Sequence, residues 1–240
     1  MILYVDAHCH ADGYSPEVIK RFINESKIAI VGVGMDLESS VKIVDYSRIS
    51  NYFIPCIGIH PWNVDKVSEK DVDAVLSLSA KVNCLGEVGL DTKFVPQTID
   101  KQKRIFKRFL EVASERNMIM NIHSVGTWEE ILNLLREYNI ERAVFHWYSG
   151  PQHLLKEIEG QGYFITINPS VRFQRKHRMI LERAPLDMIL TESDGPYLYR
   201  GVNLSPELIP LLAEEIASVK NIDHKEVRKI ILRNFQKLFL

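Results

Sequence analysis

Ile2-Leu3-Tyr4-Val5-Asp6-Ala7-His8-Cys9-His10 opens the chain as an apolar run that ends in ionisable side chains. One such run is only a strand candidate. Seven more follow, at residues 28–34, 52–59, 82–88, 118–123, 143–147, 163–168 and 187–193, each short and mostly apolar. Successive runs end 21 to 35 residues apart, room for one strand, one helix and two short connections. The stretches between them carry helical periodicity: Ile99, Phe106, Phe109, Leu110 and Ala113 share one face, and Gln102 falls on the same stripe. Near-continuous apolar strands separated by helices imply a parallel sheet. Eight of them in 240 residues imply an α/β fold, a closed (β/α)8 TIM-type barrel, with a doubly wound open sheet as the alternative. Two helical patterns close the chain, at residues 205–219 and 223–239. The second is an extra C-terminal helix that opens with Asp223 and Glu226 spaced as a capping box. One domain is expected to cover residues 1–240.

Composition sets outer limits. With 30 Lys plus Arg against 31 Asp plus Glu, the net charge is −1, which excludes a globally basic nucleic-acid coat. An apolar fraction of 46% and a charged fraction of 25% exclude a disordered chain. Cys9, Cys56 and Cys84 are odd in number and contain no CxxC pair, so no disulfide framework is expected, and a reducing compartment is. Met1-Ile2-Leu3-Tyr4-Val5 meets Asp6 without the basic region of a secretory signal, and the longest apolar run, residues 28–35, is too short to span a bilayer. A soluble cytoplasmic protein with no membrane association is the expectation.

The chemistry concentrates at the strand ends, where the active site of a barrel lies. Alternation along the first strand places Asp6, His8 and His10 on one face, so that Asp6 is expected to orient the two imidazoles, and turns the Cys9 thiol away. The third run leads into Gly58-Ile59-His60-Pro61-Trp62, and the fourth carries Gly86-Glu87-Val88-Gly89-Leu90-Asp91. The fifth and sixth reach His123 and His146, and the eighth leads into Thr191-Glu192-Ser193-Asp194-Gly195-Pro196. Five of the eight histidines therefore sit at or just past a strand terminus. His8, His10, His123, His146, Glu87 and Asp194 are six nitrogen and oxygen ligands, enough for two divalent metal ions such as Mg, Mn or Zn. The expected partition puts His8, His10 and Asp194 on one ion and His123 and His146 on the other, with Glu87 and a hydroxide bridging them.

Taken in order, these motifs are similar to those of the TatD family of metal-dependent deoxyribonucleases within the amidohydrolase-like barrels. The matching elements run from Asp6-x-His8-x-His10 through Gly-Ile-His60-Pro-Trp, Gly-Glu87-Val-Gly-Leu-Asp91, Gln97, Gln102, His123-Ser124, His146 and Ser193-Asp194-Gly-Pro-Tyr197. They continue to Arg200-Gly-Val-Asn203-Leu-Ser-Pro206 and Asn234-Phe-Gln-Lys-Leu-Phe239. The resemblance implies two divalent cations and hydrolysis of DNA phosphodiesters, often 3′ to 5′ from strand ends. It also implies that His60 faces the substrate phosphate, although a structural histidine in a tight loop remains an open reading. His146-Trp147-Tyr148, Asn168-Pro169-Ser170 and Asp194-Gly195-Pro196 depart from the usual pattern at the pocket rim, so substrate preference is less securely carried over than metal chemistry.

The mechanism expected from these residues has a shared water made acidic by the cations, with Glu87 and Asp194 as the catalytic carboxylates and Asp194 moving the proton. Arg200, just beyond the Asp194 turn, is expected to bind phosphate. Arg172, Arg175, Lys176, Arg178 and Arg183 could track a nucleic-acid backbone or form a solvated helix face. Trp62, Trp147 and Tyr148 could stack a base or pack the rim. Gln102, a buried amide, is expected to hold loop backbone or Asp91. DNA strand ends are the partner implied, and no obligate protein partner is inferred. Two other readings stay open: an amidohydrolase or esterase acting on a cyclic amide or aminoacyl ester, and a non-catalytic nucleic-acid-binding barrel.

Overall fold

A computed structural model describes residues 2–240; Met1 lies outside the described residues. Eight strands, β1 (Tyr4–Cys9), β2 (Ile28–Val33), β3 (Phe53–Ile57), β4 (Cys84–Asp91), β5 (Ile119–Val125), β6 (Ala143–Phe145), β7 (Phe164–Ile167) and β8 (Ile189–Thr191), form one sheet. All ladders are parallel, and the strands follow one another in chain order from β1 to β8. A doubly wound sheet would reverse direction at a switch point, so the open alternative is excluded. Helices α1 (Pro16–Asn24), α2 (Leu37–Tyr46), α3 (Glu69–Ser77), α4 (Ile99–Arg116), α5 (Trp128–Glu137), α6 (Leu154–Gly160), α7 (Arg175–Arg183) and α8 (Ile209–Lys220) each follow the strand of the same number. This is a (β/α)8 barrel, and α9 (His224–Phe239) is the extra C-terminal helix.

The barrel closes where β8 meets β1, partly through side chains. The Thr191 hydroxyl donates to the Val5 carbonyl at 2.5 Å, Asp6 Oδ1 accepts the Ser193 amide at 2.8 Å, and the Asp194 amide donates to the His8 carbonyl at 3.0 Å. Asp6 is thus a seam residue. Its Oδ1 also accepts the His8 amide at 3.3 Å, so the expectation that it orients the histidine rings is corrected. Behind the sheet, Val5, Ile30, Val31, Leu85, Ile122, Val144 and Ile165 are fully buried, each such side chain worth about 1.5–3 kcal/mol of transfer free energy.

On α4 the stripe Ile105, Phe106, Phe109, Leu110 and Ala113 packs inward, and Gln102 does hold Asp91: its Oε1 accepts the Asp91 amide at 2.7 Å, and its Nε2 donates to Val95 and Thr98. α9 begins on Asp223, whose carboxylate accepts the Lys225 and Glu226 amides. Glu226 pairs with Lys229 at 3.3 Å rather than reaching back, so only half of the expected capping box forms.

Two features depart from the sequence expectations. Cys56 and Cys84, register partners on β3 and β4, are joined by a disulfide. Register, invisible to a count of cysteines, decides this, and the inferred reducing compartment loses its footing. Between β8 and α8 the chain forms an antiparallel hairpin, β9 (Tyr197–Tyr199) and β10 (Val202–Leu204), in a region expected to be loop. No helix among the described residues is long and apolar enough to cross a membrane.

Candidate metal centre

Two strands that deliver ligands are locally irregular. Between Asp6 and Cys9 two residues of β1, Ala7 and His8, oppose one of β2, Val31, and between Leu85 and Val88 two of β4, Gly86 and Glu87, oppose one of β5, Asn121. Such bulges re-aim side chains, here His8 and Glu87. Glycine makes the crowding possible: a Cβ on Gly86 would lie 2.5 Å from Asn121 Cβ, and Gly89, at φ +150°, lies against the His123 backbone. The end of β2 reaches across to β4, where the Gly34 carbonyl accepts the Glu87 amide at 2.9 Å. Glu87 is thereby fixed over the barrel axis, where the remaining ligands converge.

Around Glu87 Oε2 lie His8 Nε2 at 3.3 Å and His10 Nε2 at 3.6 Å, and both rings face Asp194 Oδ1, at 3.5 and 3.3 Å. Around Glu87 Oε1 lie His123 Nδ1 at 2.7 Å, His146 Nε2 at 3.1 Å and His60 Nε2 at 3.1 Å. Each carboxylate oxygen therefore serves one half of the cluster, the arrangement a bridging ligand requires. Cys9 takes no part; its thiol donates to the Gly195 carbonyl.

For His8 and His123 a hydrogen bond on the far side of the ring fixes which nitrogen is free. Asn121 donates Nδ2–H to the Ala7 carbonyl, so its Oδ1 accepts His8 Nδ1–H at 2.8 Å and leaves His8 Nε2 with a lone pair toward the cluster. Asp91 Oδ2 accepts His123 Nε2–H at 3.2 Å, leaving Nδ1 as the ligand atom. The Glu192 carboxylate stands 3.5 Å behind His146 Nδ1. By proximity alone Glu192 and His60 also belong to candidate metal groups. The hydrogen bonds argue otherwise. Glu192 already accepts from the Trp147 amide, Thr166 and Asn168. His60 Nδ1 accepts the Trp62 amide at 3.1 Å, so its proton is on Nε2 and the ring presents a donor rather than a lone pair.

A divalent cation fits this set. His8 Nε2, Glu87 Oε2 and Asp194 Oδ1 are buried with no hydrogen-bond partner, a costly state unless something positive sits between them. Ligand atoms around a cation bound at about 2.1 Å stand roughly 3.0–3.5 Å apart, close to the separations of this triad, and imidazole with carboxylate suits Zn or Mn.

Burial settles the charge on His60. Burial drives its pKa down to about 4 despite Glu87, so the ring is neutral at pH 7. Burial also opposes charge on Glu87, yet the imidazoles of His60, His146 and His8 hold its carboxyl well below the usual range. Asp91, against its own burial, is held down to about 2 by hydrogen bonds from His123, the Phe94 amide and the Trp62 indole. Asp194 sits in the left-handed region at φ 57°, a conformation an Asp tolerates, and this turns its carboxylate toward the two histidines.

Above the cluster opens a cavity of about 590 Å³ lined by His10, His60, Glu87, His123, His146 and Asp194 at its base. Its rim is aromatic: Trp62 and Phe94 on one side, Trp147, Tyr197 and Tyr199 on the other. Lys93 is the one Lys or Arg among the described lining residues. Arg200 is not among them; it is exposed in the turn between β9 and β10 with its guanidinium 5.6 Å from the Tyr199 ring centroid. The unforeseen hairpin leaves Arg200 exposed beside the Tyr199 ring, outside the cavity lining itself. In the basic stretch, Arg172 and Arg178 pair with Glu215 of α8, and Arg178 also with Glu182. Tyr148 is fully buried, its hydroxyl donating to the Pro151 carbonyl, and packs rather than stacks a ligand.

Three residues with supporting roles escaped sequence reasoning: Asn121, Glu192 and Lys93. Asn121 alone had a readable signal, since it stands two residues before His123 and shares its face on β5.

Comparison with known proteins agrees with this geometry. A family model described as TatD related DNase matches residues 5–240. An uncharacterised metal-dependent hydrolase of Methanocaldococcus jannaschii is 33% identical over 99% of this chain and 97% of its own length. The human deoxyribonuclease TATDN3 is 29% identical over 98% of this chain and 94% of its own. Among solved structures, YJJV, a TatD homologue from Escherichia coli, superposes with a TM-score of 0.88 over 100% of this chain and 99% of its own, at 22% identity. That likeness speaks to the fold alone.

Proposed function

The chain belongs to the TatD-related DNase family, and on that premise we propose that it is a phosphodiesterase with two divalent cations, acting on DNA strand ends as a 3′ to 5′ exonuclease. The observation that carries this reading is the split of the Glu87 carboxylate, one oxygen toward His8, His10 and Asp194 and the other toward His123 and His146. Bound between these residues, divalent cations would neutralise phosphate oxygens and make a shared water acidic near neutral pH.

The remaining roles fall to side chains. Asp194 accepts the proton of the attacking water as oxygen adds to phosphorus, and returns it to the departing sugar oxygen as the P–O bond breaks. His60, neutral and with its proton on Nε2, donates a hydrogen bond to a phosphate oxygen without adding charge to a site already rich in cations. Lys93 meets a neighbouring phosphate at the mouth. Asn121, Asp91 and Glu192 hold the rings of His8, His123 and His146 in their ligand orientations.

The test is incubation of the purified protein with 3′-labelled and 5′-labelled single-stranded DNA in Mg²⁺, Mn²⁺ or EDTA. Metal-dependent loss of the 3′ label ahead of chain shortening is the expected result. No metal-dependent degradation of either label, with Asp194→Ala indistinguishable from wild type, would overturn the nuclease reading.

A further inference from the structure

The rings on one side of the mouth form a continuous wall. Tyr197 and Tyr199 lie near parallel, with centroids 6.1 Å apart and planes 28° apart, and Phe173 stacks beyond Tyr199 at 5.9 Å and 24°. Trp147 meets Tyr199 edge to face at 5.0 Å and Tyr197 at 6.4 Å. Gln174 locks the wall: its Oε1 accepts the Trp147 indole N–H at 3.1 Å and its Nε2 donates to the Tyr199 hydroxyl at 2.7 Å. Tyr197 is nevertheless 41% exposed, so rigid aromatic surface is left facing the cavity.

The backbone carries a matching signal. Trp147 adopts φ 41°, a conformation rare for a bulky side chain, and its amide is held there by Thr166 and Glu192. Continuing in an ordinary conformation after His146 would aim the indole elsewhere. Trp147 directly follows one candidate ligand, His146, and Tyr197 follows another, Asp194, by three residues, at most about 10 Å of chain. The wall therefore stands beside the position of the reacting phosphate.

Resting on the phosphodiesterase reading, we propose that Trp147, Tyr197 and Tyr199 form a subsite that stacks an unpaired nucleobase next to the scissile phosphate. A paired base is held by its partner strand and cannot swing onto the wall, so the subsite selects single-stranded ends. The indole N–H of Trp147 is already spent on Gln174, so the wall offers a base its ring faces. Stacking accepts any base, since every base has a π-face.

The experiment compares steady-state hydrolysis of an eight-nucleotide single strand with that of the same strand carrying abasic residues in place of both nucleotides flanking the scissile bond. Wild type, Tyr197→Ala, Tyr197→Phe and Trp147→Ala are each measured. Tyr197→Ala is expected to raise KM for the intact strand about tenfold with kcat nearly unchanged, to leave KM for the abasic strand unchanged, and to be rescued by Tyr197→Phe. Exposure of Tyr197 makes its loss tolerable to the fold, so the outcome does not depend on Trp147→Ala folding. Equal KM effects on both strands, or none on either, would overturn the subsite while leaving the nuclease reading intact. Failure of wild type to cleave either strand would overturn that reading and the subsite with it.

Discussion

His8, Glu87, His123 and Asp194 at the floor of the mouth are at most 6% exposed, whereas Trp62, Tyr197 and Phe94 at its rim are 40, 41 and 57% exposed. The floor hangs on strands: each ligand lies on a parallel strand or just past its end, and the barrel fixes where those ends point. The rim hangs on connections, the turns after β3, β4 and β6 and the β9–β10 hairpin. Floor positions tolerate almost no other chemistry, because a misplaced donor there is a buried unpaired polar group. Rim positions are under no such constraint, because the side chains of Trp62, Phe94 and Tyr197 meet solvent. On the proposed function, the floor would hold the metals and the rim would meet the substrate.

Asp194→Asn breaks the floor most severely: kcat on single-stranded DNA is expected to fall about 10²- to 10⁴-fold with little change in KM. Glu87→Ala is expected to reduce bound metal from two equivalents to one or fewer by elemental analysis, and retention of both would remove Glu87 as the bridge. A step further out, Asn121→Ala should weaken metal binding about 10- to 100-fold by titration calorimetry, with the fold retained by circular dichroism. An unchanged affinity would show that the His8 tautomer needs no external hold.

His177 tests the support beneath the rim. It is buried, its Nε2 accepting the Asn168 amide and its Nδ1–H donating to the Tyr148 carbonyl, and burial lowers its pKa from 6.5 to about 4. The unfolded chain binds this proton first as pH falls, so the contribution is complete above pH 6.5 and is lost progressively between 6.5 and 4. It amounts to roughly 3 kcal/mol at most. Denaturant titrations across that window should show a shallower loss in His177→Phe than in wild type, and parallel curves would refute the assignment.

The smallest effects belong to the rim cations. Lys93→Ala should raise KM for DNA several-fold and flatten its salt dependence, while Arg200→Ala should change neither. The reverse ranking would return the phosphate contact to Arg200.

The eight-strand rhythm and the convergence of His8, His10, Glu87, His123, His146 and Asp194 were legible in the sequence, because both follow from local regularities. A strand run has a recognisable length and composition, and five histidines at run ends could not be coincidence in a barrel whose strand ends share one mouth. Gln102 was legible for the same reason, an amide on an apolar stripe. What stayed hidden depends on register or on chain reversals. The Cys56–Cys84 bond, Asp6 as a seam residue, Asn121 behind His8 and Glu192 behind His146 are pairings across the fold, from neighbouring strands to residues far apart in the chain. The hairpin that carries Arg200 in its turn was unannounced by composition.

By itself, then, the sequence determined the barrel and named six candidate ligands at its strand ends, with Glu87 among them, since periodicity and strand-end position carry that information along the chain. Only the tertiary structure decided which nitrogen of His8 and of His123 is free, that His60 Nδ1 accepts the Trp62 amide, and which aromatic rings wall the mouth. Those outcomes are set by partners brought within about 3 Å of each other from distant segments, and hydrogen-bond direction exists only once both partners are in place.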